Sequence, residues 1–356
     1  MNLDVAIQRK RTKREVCKIE QDKYRGCWPM KNDGDTARAV AVVVIGRNEG
    51  ERLNSSLSSA LKAGKSIVYV DSGSSDGSVK MAQANGALTV ELDKSRPFTA
   101  ARARNSGFAE IRDRSPGTEF VQFLDGDCEL NVYWVQNAVR FLLENPGCAV
   151  VCGRLRERHP EKSIYNLLCD IEWDRPTGEV ESSGGIFLVR FDVFEKVGGF
   201  KEGLIAGEES ELCSRIRSLG WTIWCLEDEM AIHDANMTRF SQWWKRSVRC
   251  GFTYAQAVQM PGKDSCHERN RALFWGGLLP LIIIISTWLF GYGALLLLVL
   301  YPLQLVRLTV RENLKLSHSL INSFFAVIEK FPETLGILKF YFNRVFRVTD
   351  RLIEYK

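Results

Sequence analysis

The sequence predicts an α/β fold with a Rossmann-like, mostly parallel central sheet, followed by C-terminal membrane-associated helices. Three observations predict it. From Ala39 onward short β-branched runs alternate with helical stretches, the pattern of parallel strands covered by helices on both faces. Asp71, Asp125 and Asp127 stand where such strands end, and open α/β sheets collect their ligands there. After about Met260 the composition changes, and no charged residue occurs from Ala272 to Val306.

The 356 residues therefore divide into a basic leader over 1–36, an α/β domain over 37–260 and a hydrophobic region over 261–356. Arg9, Lys10, Arg11, Lys13, Arg14 and Lys18 crowd the leader with no apolar run behind them, so it does not read as a signal peptide. It reads as a solvated or disordered segment, or as one attracted to an anionic membrane surface. The formal net charge of +5 is modest and argues against a nucleic-acid partner. Ten cysteines without a CxxC pair or metal-type spacing point to reduced thiols rather than a disulfide framework.

In chain order, AVAVVVI (39–45) is a buried strand, GRNEGERL a polar turn, and Leu53, Leu57 and Leu61 recur at helical spacing. SIVYVD (66–71) is the second strand, and SSDGSVKMAQANG a capped helix ending at Gly86. ALTVEL (87–92) is a third strand, AARARNSGFAEIR (100–112) a helix, and EFVQFLD (119–125) a fourth strand. AVVCGR, GGIFLV and TIWCLE are further strands, the last followed by an acidic turn before His233.

As one helix, the uncharged run 272–306 would be about 50 Å long at ~1.5 Å per residue, well over a ~30 Å hydrocarbon core. A hairpin or re-entrant pair bending at Gly291-Tyr292-Gly293 fits better; a tilted single span and a buried soluble helix pair are the alternatives. Arg269 and Arg271 precede the run and Arg307, Arg311 and Lys315 follow it, which keeps both flanks cytoplasmic. Beyond Ser317, Phe and Leu mix with Lys and Arg as in amphipathic helices, broken near Pro332.

The segment FVQFLDGDCEL carries the chemistry. Gly126 lets the backbone turn so that the carboxylates of Asp125 and Asp127 enter one space, where they repel each other unless a cation intervenes. A hard divalent ion held by oxygens also attracts phosphate, so the pair suggests a metal-bridged pyrophosphate.

VVVIGRNEGERL, VYVDSGSSDGS, ARARNSGF, FLDGDCEL, GGIFLVRFDVFEKVGGF and GEESELCSRIRSLGW, in that order, resemble the successive motifs of the family 2 glycosyltransferases, which have a GT-A fold. The likeness covers about Val40 to Ala257. It implies an inverting, metal-dependent enzyme using Mn²⁺ or Mg²⁺ and a UDP- or GDP-type nucleoside-diphosphate sugar. Because the hydrophobic tail would keep the site near the bilayer, the expected acceptor is a lipid-linked or envelope/exopolysaccharide glycan. With the basic flanks, the site is expected on the cytoplasmic side of the inner (plasma) membrane.

Position by position, the resemblance puts Gly46, Asn48 and Glu49 beside the nucleoside and makes Asp71 an acceptor for the base or ribose. Arg104 would offer its donor fork to base or phosphate, while Arg102 is read as a surface charge. Asp125 would touch ribose or sugar, and Asp127 would bind the metal, joined by His233 unless that imidazole is structural. Glu209 aligns with the family's catalytic Asp and is the expected base, with neighbouring Glu208 as the alternative. Processive synthases carry QxxRW where this chain has Gln242-Trp243-Trp244-Lys245-Arg246, which lowers the case for a polymerase. The two tryptophans suit core packing, sugar stacking or a headgroup position, and Arg246 and Arg249 suit a diphosphate or an anionic lipid.

Two other classes stand beside this one. Ser72, where the family often has a second acid, and Glu209 in place of Asp admit a catalytically silent scaffold in a glycan-assembly complex. A dinucleotide oxidoreductase shares the alternation but needs GxGxxG where GRNEGE stands.

Overall fold

A computed structural model of the chain describes residues 40–204, 206–259, 265–312 and 314–346. The basic leader lies outside the described residues. The first half alternates β1 (Val40–Gly46), α1 (Glu51–Ala63), β2 (Ser66–Asp71), α2 (Ser78–Ala84), β3 (Leu88–Glu91), α3 (Ala100–Arg114) and β4 (Phe120–Asp125). Then come β5 (Cys128–Leu130), α4 (Trp134–Glu144), β6 (Cys148–Glu157), α5 (Ile164–Glu172), β7 (Gly178–Glu179), β8 (Phe187–Arg190), α6 (Phe191–Lys196), α7 (Glu208–Ser218) and β9 (Thr222–His233).

The described strands form one sheet in the order β3-β2-β1-β4-β8-β6-β9-β5, with β7 beside β9. β3, β2, β1 and β4 run parallel, as do β6 and β9, while β8 enters antiparallel between β4 and β6. β1 is apolar without alternation because helices cover both its faces. The cover is close: a Cβ on Gly107 of α3 would lie 2.4 Å from Val43 Cγ1. Gln122, the polar interruption of β4, is fully buried, and its Oε1 accepts from Trp134 Nε1 at 2.9 Å.

β9 departs from expectation. It does not stop at Glu227 but runs on to His233, with the register against β6 shifting around Gly153. The expected acidic turn lies within the strand because its charges find partners: Asp228 accepts from Asn137 and Glu229 pairs with Arg156, at 2.6 and 2.7 Å. The extension matters, since β5 pairs antiparallel with it and sets Cys128 opposite His233.

The C-terminal layer comprises α8 (Phe240–Ala257), α9 (Cys266–Leu273), a π-helical turn (Phe274–Leu278), α10 (Leu279–Phe290), a 3-10 helix (Tyr292–Val299), α11 (Leu300–Arg311), α12 (Leu316–Ile328) and α13 (Lys330–Val345). The chain reverses at Gly291, whose φ of 81° ends α10, and Tyr301 Oη donates to Trp275 O at 2.8 Å to tie the two limbs. The limbs, Cys266–Phe290 and Tyr292–Arg311, are long and apolar enough to cross a membrane, and little of either is buried within the chain. Trp288, Phe290, Tyr292 and Leu296 are about four-fifths exposed at the bend, which does not fit a buried soluble helix pair.

α8 joins this layer through glycines. A Cβ on Gly251 would lie 1.9 Å from Glu333 O of α13, and one on Gly336 would lie 2.0 Å from Val248 O of α8. Such reciprocal contact is available only without side chains. Gly251→Val is therefore expected to lower the melting temperature, by about 1–3 kcal/mol of stability or more. Gly147→Ala, which faces open space, should leave it unchanged; calorimetry of both variants checks this.

Candidate active site

The carboxyl ends of β2, β1 and β4 lie side by side, with Gly46 level with Asp71 and Ile45 level with Asp125. The loop after β1 is clipped to the loop after β2. Asn48, held at a positive φ of 56°, donates its N–H to Ser74 Oγ and accepts from Ser75 N, while Gly50 N donates to Asp76 Oδ2.

Asp71 anchors this clip. It is 1% exposed and accepts from Tyr69 Oη, Gly73 N, Ser74 N and Ser74 Oγ. In this conformation it shapes the loop at the rim. Glu49 does lean toward the centre: a Cβ on either Gly46 or Gly126 would meet its Cγ at 3.0 Å. Arg52 holds it at 2.9 Å and also donates to the Asp234 carbonyl.

Arg104 is differently employed than expected. Its guanidinium is buried and forked between Asp125 Oδ1 at 3.0 Å and Glu208 Oε1 at 2.9 Å, over the Phe200 ring. Burial opposes its charge, but Asp125, Glu208 and Glu209 together hold its pKa above the ordinary value. The fork is spent on carboxylates rather than phosphate, and it joins the β4 acids to the first turn of α7. Arg102 is no surface charge either. It is buried and donates to the carbonyls of Asp93, Arg96 and Pro97, holding the loop before α3.

At the other side of Gly126, Asp127 Oδ2 lies 3.0 Å from His233 Nε2. Burial pushes the imidazole pKa down, against Asp125, Glu157 and Glu49, which raise it, so the neutral form that can ligate a metal is favoured. Nδ1 and Nε2 have no hydrogen-bond partner among the described residues. A half-buried imidazole whose 3.0 Å approach to a carboxylate is not a hydrogen bond, and whose Nδ1 has no protein partner among the described residues, is what a divalent ion completes. Asp127, Cys128 and His233 bring their ligand atoms within 4.8 Å of one another. Burial, with Asp125, Glu49 and Glu157, pushes the Cys128 thiol well up, so it stays protonated beside Asp127 and the oxygen and nitrogen donors fit the ion better.

Glu208 and Glu209 open α7 behind Gly207, whose φ is 75°. Burial first, then the charge on Glu209, raises the Glu208 pKa; Arg104 and, from α8, Arg249 act the other way. Glu208 is thus tied down, whereas Glu209 is half-buried and its carboxylate accepts from Ser210 Oγ at 3.3 Å. Trp243 is core, packed on Tyr165 and Phe325, and Arg246 pairs with Glu172 at 2.7 Å instead of meeting an anion.

Arg52, Glu157 and Trp173 escaped the sequence. Glu157 Oε2 accepts from Ala235 N and Oε1 from His159 N and Asn166 Nδ2, which fixes the chain just after His233. The partners that bring them to this rim, Asp234 for Arg52, Ala235 for Glu157 and His233 for Trp173, lie far away in sequence, and no motif marks them.

Residues 41–198 match the family described as Glycosyl transferase family 2. This region is a family 2 glycosyltransferase domain. The chain is 26% identical over 226 residues to glycosyltransferase AglE of Haloferax volcanii, spanning 60% of this chain and 71% of that protein. It is 25% identical over 254 residues to the pre-mycofactocin glycosyltransferase of Mycobacterium tuberculosis, spanning 67% of this chain and about half (51%) of that one. Its fold resembles that of the mannosyltransferase PcManGT from Pyrobaculum calidifontis, solved with GDP-Man and Mn²⁺, at a TM-score of 0.54 and 16% identity. That superposition covers 96% of this chain and 98% of the other, and it establishes the GT-A type of fold with the C-terminal helices included.

Proposed function

We propose that the glycosyltransferase is a membrane-attached, metal-dependent inverting enzyme. It takes a sugar from a UDP- or GDP-type donor and places it on a hydroxyl of a lipid-linked or envelope/exopolysaccharide glycan acceptor. The observation that carries this is the joining of two acid sets across one rim, with Asp127 and His233 on one side of Asp125 and Arg104 with Glu208 and Glu209 on the other.

In this reading Asp127 and His233 hold Mn²⁺ or Mg²⁺, which supplies Lewis-acid neutralisation of the departing diphosphate. Asp125, partly exposed and oriented by Arg104, faces ribose or sugar. Gly46, Asn48 and Glu49 border the nucleoside, with Asp71 behind them as the loop's anchor. Glu209 takes the proton of the attacking hydroxyl in a single displacement. Arg104 and Glu208 keep that carboxylate in place, and Arg104 offsets the charge its neighbours gather.

The apolar hairpin supports membrane attachment, and the basic residues flanking both limbs support a catalytic domain on the cytoplasmic side of the inner (plasma) membrane. An acceptor borne by the bilayer would then reach the site without leaving it. The test uses purified protein in detergent with UDP- and GDP-sugars, Mn²⁺ and polyprenyl-phosphate or glycolipid acceptors. Transfer with inverted anomeric configuration, abolished by EDTA, is expected; a retained configuration contradicts the single displacement.

A further inference from the structure

We infer that Trp173 is the positioning residue of the metal-ligand histidine, fixing the plane of His233 by packing its indole against the imidazole. The inference rests on the metal reading above. A metal histidine is ordinarily oriented by a hydrogen bond from its second nitrogen to a carboxylate, carbonyl or water. Among the described residues no carboxylate or carbonyl accepts from the His233 Nδ1. The cross-strand acid, Glu157, is spent on Ala235, His159 and Asn166. What does face the imidazole is the Trp173 indole, with ring centroids 4.5 Å apart and planes inclined by 32°.

Trp173 can impose an orientation because the helix it caps is pinned at both ends. At the start of α5, Ser163 Oγ accepts from Asn166 N, and Asn166 Oδ1 accepts from Met237 N in the loop that follows His233. At its end, Glu172 meets Arg246 of α8 at 2.7 Å, and the Trp173 N–H closes the helix on Cys169 O at 3.0 Å. The indole also packs against the cluster of Leu168, Trp243 and Phe325, where α5, α8 and α12 meet. This tilted ring contact thus supplies the directional restraint that a hydrogen bond supplies elsewhere.

The test is Mn²⁺ titration without nucleotide, reading free ion by electron paramagnetic resonance, on the full chain and on Trp173→Leu and Trp173→Phe. Trp173→Leu is expected to weaken Mn²⁺ binding by about 10-fold or more, the usual cost of losing a ligand's support. Trp173→Phe, which keeps a planar face, should stay within about 3-fold, and turnover of Trp173→Leu at saturating Mn²⁺ should be nearly restored. If Trp173→Leu does not fold, Trp173→Met carries the same comparison, because it refills the volume without a ring. Unchanged Mn²⁺ affinity, or lost turnover at unchanged affinity, overturns the inference alone. A wild-type chain that binds no Mn²⁺ overturns the metal reading together with it.

Discussion

Replacing Glu209 by Gln is expected to lower kcat by about 10²- to 10⁴-fold, the usual worth of a positioned general base, with nucleotide affinity nearly unchanged. The choice between two adjacent acids rests on what each already touches. Glu208 is 6% exposed and gives Oε1 to Arg104 at 2.9 Å, so freeing it for a proton would strand a buried guanidinium. For Glu209 the described contact is the 3.3 Å hydrogen bond from Ser210 Oγ. Glu208→Gln should instead loosen Arg104 and with it Asp125, raising KM as well as lowering kcat. Steady-state kinetics of the two variants, with circular dichroism to confirm folding, separates these roles, and a Glu209→Gln enzyme of normal kcat would remove Glu209 from the mechanism.

Asp127→Ala is expected to reduce donor turnover by about 10³-fold, since Lewis-acid help is worth several kcal/mol and each 1.36 kcal/mol is a factor of ten. The loss should extend to Mn²⁺ binding measured directly. Asp125→Ala should differ in kind. Asp125 is partly exposed and held by Arg104, so its removal perturbs sugar contacts while Asp127 and His233 still face each other at 3.0 Å. A metal titration of both variants distinguishes them.

The parallel half of the sheet was legible because each strand is a β-branched run closed by turn residues, and two carboxylates flanking Gly126 at a strand end carry their own chemical logic. What stayed hidden depends on side-chain contacts that no motif marks. Ser74 reaches back to fill Asp71, and Arg104 reaches across 104 positions to Glu208, so residues read as ligand-facing are partly engaged within the chain. The acidic run Glu227–Glu229 imitates a turn in composition, yet partners on β6 and α4 let β9 continue and deliver His233 to Cys128. The reversal at Gly291 was readable from glycine in an apolar run, whereas the glycine-to-carbonyl contact of α8 with α13 has no local mark.

The most direct measurement is isothermal titration of the purified chain with UDP and GDP, with Mn²⁺ and with EDTA. Binding of one nucleotide that requires Mn²⁺ and disappears in Asp127→Ala is the predicted result. Binding indifferent to both the ion and Asp127, or none of either nucleotide, would contradict a metal-held diphosphate at this rim.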